Sequence, residues 1–399
     1  MAAPSQSANL PAFEIVRSPI IVSFDERAAY SEVYGFTGNQ GRVFLEGQLI
    51  TPVDHPSDTI FLFMHPSSTL NLMPLPAGMA AAGKHVMCCA SRFAKNDSAL
   101  IMEKVTADLG AFVRHARHQL GYRRVVLVGW SGGGSLALFY QAEAEKPSVF
   151  STPAGDPYDL SAHQLEPADA VVVVAAHAAR ARILSEWLDP AVADENDPSK
   201  RLPEFDLYDR KQGPTAPYSA DFVAAFRQAQ KARMRRITQW VKEELETLSR
   251  QGGRVADRAF VVHRTMADPR WLDPAVDPND RAPGRCFLGD PELANSAPAG
   301  LGRFNVLRSW LSQWSVDDSN IDGERSIARI DAPLLIVENS ADDGVPRSHI
   351  ADLARSAAES GRRYEHAVIE GATHYYQGQP ELCRQAAAVI GTWSDTIRT

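Results

Sequence analysis

Gly129-Trp130-Ser131-Gly132-Gly133 is the stretch of this chain best suited to covalent chemistry. The run before it, Arg124-Val125-Val126-Leu127-Val128, is branched and uninterrupted, which suits a strand buried on both faces of a parallel sheet. Leu136 to Glu145, after it, reads as helix. The five residues between match G-x-S-x-G, a sharp strand-to-helix turn that holds a serine in strained backbone geometry with its hydroxyl presented outward. Glycines two before and two after the serine are needed there, because a Cβ would strike the turn. Such a serine is a nucleophile for acyl transfer once a base takes its proton and an acid orients the base. The bland alternative is a tight structural turn in which Ser131 caps the helix.

Set between its strand and its helix, this motif resembles the nucleophile elbow of the α/β-hydrolase family. The resemblance implies the chain order serine, acid, histidine. Among eleven histidines, His374 in Glu370-Gly371-Ala372-Thr373-His374 follows the last expected strand, where the family places its base on a loop that reaches the serine. His115 and His118 read as solvent-facing on a helix, and His177 precedes every acid candidate and so breaks the order. The acid is expected in Glu338-Asn339-Ser340-Ala341-Asp342-Asp343-Gly344-Val345-Pro346. The family commonly has Asp four residues before the proline that starts the next helix, which selects Asp342 over its neighbour Asp343 and over Glu338. An oxyanion on the attacked carbonyl needs preorganised donors. One is the backbone N–H of Gly132; the family takes the second from the loop after the third strand, here His65-Pro66-Ser67-Ser68. The family often has His-Gly at that point, and this chain has His-Pro. Proline has no N–H, so Ser67 is the candidate, with His65 bracing the loop. A serine at the elbow, where alkyl-transferring relatives need aspartate, favours acyl chemistry.

The surrounding elements must place these groups together. Phe13 to Phe24 and Val33 to Thr51 are β-rich, the second broken by a hairpin-like Thr37-Gly38-Asn39-Gln40-Gly41. Ile60 to Met64, Lys84 to Ala90, Val125 to Val128, Ala170 to Ala175, Leu334 to Val337 and His366 to Ile369 are the further strands. A helix capped by Asp97 or Ser98 carries Ile101, Val105, Leu109, Phe112, Ala116 and Leu120 on one face, and another runs from Pro380 to about Ile397. This alternation specifies an α/β fold, a mostly parallel doubly wound sheet. About 155 residues separate the sixth strand from the seventh, too many for a connection. They are expected to form a large, mainly helical cap, dividing the chain into core residues 1–176, cap residues 177–329 and core residues 330–399. Within the cap, Asp221 to Arg250 reads as a long helix whose Arg233-Met234-Arg235-Arg236 run is a solvated face, and Leu301 to Trp314 as a second helix. Residues 189–220 and 267–300 read as looped. Five of the seven tryptophans lie in the cap. Trp240 and Trp310 there, with Trp130 and Tyr375 beside the serine and histidine, are the candidate substrate-binding residues. Replacing residues 189–320 with a short linker is expected to abolish discrimination among substrates before it abolishes acylation of Ser131.

Composition bounds the rest. Hydrophobic content of 44% and charged content of 23% over 399 residues are those of a globular protein able to bury a sizeable core. A net charge of −8 argues against a nucleic-acid or anionic-membrane surface, and no run approaches the ~20 apolar residues that span a bilayer. The first ten residues lack a basic region followed by an apolar core, so the chain reads as cytoplasmic. Four cysteines in neither a disulfide nor a C-x-x-C pattern read as buried thiols. No metal or organic cofactor is implied, and a homodimer is left open. These features lead to a serine hydrolase of carboxylic esters, lactones included, acting on a bulky, largely apolar small molecule. A hydrolase of C–C bonds in β-diketones or ring-cleavage products would use the same three residues, and a binding protein with a vestigial triad is the non-enzymatic alternative.

Overall fold

The elbow strand sits in the middle of an eight-stranded sheet. In the computed structural model, residues 12–26, 41–252, 257–298 and 300–397 are described. The first strands are β1 (Ile15–Asp25), β2 (Arg42–Pro52) and β3 (Thr59–His65), followed by helix α1 (Pro74–Ala81) and β4 (His85–Ala90). Then come α2 (Met102–His118), β5 (Arg124–Trp130), α3 (Gly132–Glu145) and β6 (Ala170–Val174). An insertion carries α4 (Arg180–Trp187), α5 (Ala220–Arg250), β7 (Ala259–Val261), α6 (Pro269–Leu272), α7 (Pro291–Ser296), β8 (Phe304–Val306), α8 (Leu307–Gln313) and α9 (Gly323–Ile327). The chain returns through β9 (Leu334–Asn339), α10 (Arg347–Glu359), β10 (Tyr364–Ile369) and α11 (Pro380–Asp395).

The sheet order is β1-β2-β4-β3-β5-β6-β9-β10, antiparallel from β1 through β2 to β4 and parallel from β4 onward. This is the α/β-hydrolase arrangement, an antiparallel start on a parallel sheet. Its apolar runs are explained by burial on both sides. Val125 and Leu127 of β5 pack with α2, α3 and α10 on one face, and Val126 and Val128 pack with α1 and α11 on the other. Among the described residues, no helix is long and apolar enough to cross a membrane. The four cysteines are buried and free, and burial pushes the Cys88 thiol up to about 12.

Several local expectations are corrected. The break at 37–41 lies largely outside the described residues, and the paired part of the second strand begins at Arg42. Helix α2 begins at Met102, and neither Asp97 nor Ser98 caps it. The Met102 N–H donates instead to Ser312 Oγ of the insertion, at 2.8 Å, so a donor that the helix leaves without an acceptor is satisfied from 210 residues away. The helix expected over Leu301–Trp314 is shorter, because Phe304–Val306 pairs with Ala259–Val261 in a small ladder.

The insertion has its own core, in which Ile183, Trp187, Met234, Ile237, Val241, Trp271, Trp310 and Trp314 are buried together. Its tail does not belong to it: Ile321, Ile327 and Ile330 pack into the sheet layer, and α9 lies on α3. Arg233 is not on a solvated face. It is buried against Glu195, with Nη2–Oε2 at 2.6 Å, and donates to the carbonyls of Asp189 and His263. A buried guanidinium is tolerated only when paired and fully hydrogen-bonded, and this one is. Arg235 and Arg236 do face solvent.

Candidate active site

Ser131 is the first residue after β5 and adopts φ 54° and ψ −121°, a left-handed conformation that a side chain resists. The strain is held by two close approaches. A Cβ on Gly129 would lie 2.3 Å from the Gly133 carbonyl oxygen, and one on Gly133 would lie 2.2 Å from the Met64 carbonyl oxygen. The Ser131 N–H donates to the Val174 carbonyl at 3.1 Å, which ties the turn to the neighbouring strand β6. Gly132 opens α3, so its N–H has no acceptor within the helix.

Asp342 and His374 lie on the loops that follow β9 and β10, at the same end of the sheet as Ser131. His374 Nδ1 and Asp342 Oδ2 are 3.0 Å apart, and both side chains are almost wholly buried. Asp342 Oδ1 accepts from the Gly344 and Val345 N–H groups, each at 2.7 Å. The carboxylate is thereby fixed, and the shared proton sits on Nδ1, leaving Nε2 as an acceptor. The histidine loop is anchored at its backbone: Trp130 Nε1 donates to the His374 carbonyl at 3.1 Å, and Asn339 Nδ2 to the Thr373 carbonyl at 2.9 Å. Asp343 makes no such contact with the ring; burial and the adjacent Asp342 charge push its carboxyl up. Glu338 is engaged on β9 by His366 Nε2 at 3.0 Å and by Arg347.

The loop after β3 departs from expectation. Ser67 N–H does not stand free: it donates to His65 Nδ1 at 3.2 Å. His65 thus braces its loop, and its other nitrogen faces Gly132. Burial, with the positive charge of Arg180, pushes the His65 pKa down to about 3. His177, excluded by chain order, is also brought here and buried, and among the described residues its Nδ1 has no hydrogen-bond partner. His118 bonds Glu166 at the surface.

Of the four candidate substrate contacts, two lie beside the histidine. Trp130 and Tyr375 have ring centroids 4.5 Å and 4.9 Å from that of His374. Trp130 is nearly enclosed and supports the loop through its N–H. The other two are elsewhere. Trp310 is fully buried in the insertion's own core, stacked on Trp314 at 5.0 Å and donating to Thr238 Oγ1. Trp240 lines a separate cavity with Arg236, Phe260 and His263. The insertion residue that does reach the site is Phe287, 5.8 Å from His374 between ring centroids. It comes from the aperiodic stretch 267–300, where no pattern marks a wall.

The same stretch grips the acid loop. Asn279 Nδ2 donates to the Asp342 carbonyl at 2.8 Å, Trp271 Nε1 to the Asp343 carbonyl at 2.7 Å, and Arg270 Nη2 to the Gly344 carbonyl at 3.1 Å. Asp280 and Ser340 exchange two further bonds. Excising residues 189–320 would remove these contacts to the loop that carries Asp342. Among the described residues, no group of three or more His, Cys, Asp or Glu side chains is arranged to hold a metal ion.

No family model matches the sequence, and no curated protein does either. Solved structures with similar folds include Est1E from Butyrivibrio proteoclasticus, at 12% identity and TM-score 0.43 over 88% of this chain and 94% of that one. A thermostable esterase from Pseudomonas putida aligns at 11% identity and TM-score 0.45 over 96% and 83%. The esterase domain of a Rhodothermus marinus protein aligns at 14% and 0.45 over 94% and 98%. Such identities transfer no residue's role to this chain.

Proposed function

We propose that this chain is a serine hydrolase that cleaves a carboxylic ester or lactone of a bulky, largely apolar small molecule through an acyl-enzyme. The observation that carries the reading is the bonded His374–Asp342 pair at the same sheet edge as a serine strained to φ 54°. In this mechanism His374 Nε2 takes the proton of Ser131 Oγ as Oγ bonds to the substrate carbonyl carbon. The carbonyl π pair moves to oxygen, beside the Gly132 N–H. The tetrahedral adduct collapses, the alkoxide leaves with the proton from His374, and Ser131 holds the acyl group. Water then repeats the sequence, with His374 as its base, and releases the acid. The Trp130, Tyr375 and Phe287 rings around His374 favour an apolar substrate.

A fluorophosphonate is expected to label Ser131 of the folded protein. A panel of soluble aryl esters and lactones should be turned over faster than β-diketones or a triglyceride emulsion. A folded protein that takes no label, or that cleaves a diketone faster than any ester, would sink the proposal.

The grip on the acid loop gives a second expectation. Trp271→Phe keeps an aromatic ring, though a smaller one, and removes one donor to the loop. It should lower kcat on the order of tenfold to a hundredfold with KM little changed, because small displacements of a catalytic group are costly. Steady-state kinetics on the best ester, with circular dichroism to establish folding, measure it; an unchanged kcat would assign Trp271 to packing alone.

A further inference from the structure

In the loop after β3, Pro66 has no N–H and Ser67 spends its own on His65 Nδ1, so neither supplies the second oxyanion donor. We propose that the imidazole of His65 does so, its Nε2–H serving as the second oxyanion donor opposite the Gly132 N–H. The inference rests on the acyl-enzyme reading above and adds a catalytic residue to it.

Geometry carries it. A neutral imidazole has one N–H, and Nδ1 is occupied as an acceptor from Ser67, so the proton is on Nε2. That nitrogen lies 2.7 Å from the position a Cβ on Gly132 would take. It thus stands beside the Gly132 backbone, on the side that a side chain there would occupy. Among the described residues, none accepts from it, and the His65 ring is held in place 6.0 Å from that of Trp130. The low pKa of His65, from burial and the nearby Arg180 charge, keeps it neutral at ordinary pH. A neutral imidazole can act as an electrophilic donor without surrendering its proton.

Gly132 itself points the same way. In G-x-S-x-G it occupies a position that the turn leaves free, whereas Gly129 and Gly133 are forced by backbone contacts. What a side chain at 132 would meet is His65 Nε2 at 2.7 Å and His177 Nε2 at 3.4 Å. The missing side chain therefore leaves room between the Gly132 backbone and His65, in the space an oxyanion needs. As Oγ bonds to carbon, the π pair moves to oxygen and the Nε2–H bond to it shortens. His374 alone accepts the proton from Ser131; His65 keeps its own throughout.

The test compares wild type, His65→Gln, which places an amide N–H near the same point, and His65→Leu, which has no donor. With the best aryl ester, His65→Leu should lose about 10²- to 10³-fold in kcat with little change in KM, and His65→Gln should recover at least tenfold of it. Affinity for a trifluoromethyl ketone, whose adduct carries the oxyanion, should fall in His65→Leu by the same factor as kcat. Where His65→Leu fails to fold, NMR of the ¹⁵N-histidine-labelled wild type decides: the His65 Nε2–H proton should move downfield in the ketone adduct. An unmoved resonance, a folded His65→Leu with kcat within threefold of wild type, or a loss that follows His177→Leu instead would overturn the assignment. Fluorophosphonate labelling separates the two levels. Ser131 labelled in wild type together with an innocuous His65→Leu removes the donor and leaves the serine chemistry standing; an unlabelled, folded wild type removes both.

Discussion

Ser131→Ala is expected to lose ~10⁴-fold or more in kcat while keeping its fold, because in the proposed mechanism Ser131 Oγ carries the acyl intermediate. The substitution leaves the turn intact. Alanine tolerates φ 54° no better than serine, and the approaches that hold it there belong to Gly129 and Gly133. The variant should therefore melt within a few degrees of wild type. It should still bind substrate, so KM-like affinities persist as turnover vanishes. Burst kinetics with an aryl ester make the measurement, with the fluorophosphonate adduct absent from the variant by mass. A well-folded Ser131→Ala protein active within tenfold of wild type would end the serine mechanism.

Asp342→Asn should cost about 10⁴-fold in kcat, and the reason is visible in its bonds. One carboxylate oxygen accepts a hydrogen bond from His374 Nδ1–H at 3.0 Å, and the other accepts from two backbone N–H groups at 2.7 Å each. An amide has one oxygen and cannot serve both sides. If its NH₂ turns toward His374, it requires the wrong tautomer. If it turns toward Gly344 and Val345, donor meets donor and the loop shifts. Asp343→Asn should cost less than tenfold, since that side chain does not bond the ring and its ionisation is already opposed by burial and by Asp342. Measuring kcat/KM for both variants settles the assignment; greater damage from Asp343→Asn would move the acid by one residue.

What the sequence made legible is what local sterics and chain order dictate. Gly129 and Gly133 announce the elbow because a backbone oxygen lies within 2.3 Å of each missing Cβ. Asp342 and His374 follow from their distance past the ends of β9 and β10. The strands were legible because a sheet covered on both faces demands unbroken apolar runs. The remainder depended on partners remote in sequence. Arg233 sits in a basic run that looks solvated, and Glu195, 38 residues earlier, with the Asp189 and His263 carbonyls, makes it an interior residue. The acceptor at the start of α2 is Ser312, which no reading of residues 97–102 could supply. Phe287 and the donors Arg270, Trp271 and Asn279 come from a stretch with no periodicity, so nothing local separated a loop that merely connects from one that holds the acid in place. Trp240 and Trp310 have the chemistry of a pocket wall, and tertiary packing puts them to another use.

The seam between β6 and β9 has a consequence for how the chain is made. In the finished sheet Val171–Val174 pairs in register with Leu334–Val337. On the ribosome that partner emerges about 160 residues later, which at 5–20 residues per second is a delay on the order of ten seconds or more. For that interval the nascent sheet ends in an unpaired row of four valines, the kind of edge that recruits other strands. Ser131 also emerges long before His374 and Asp342 exist, so under the proposed mechanism it is chemically idle while the polypeptide is most vulnerable. Co-translational aggregation, set against the speed at which the insertion collapses over that edge, is therefore the hazard that this gene order imposes.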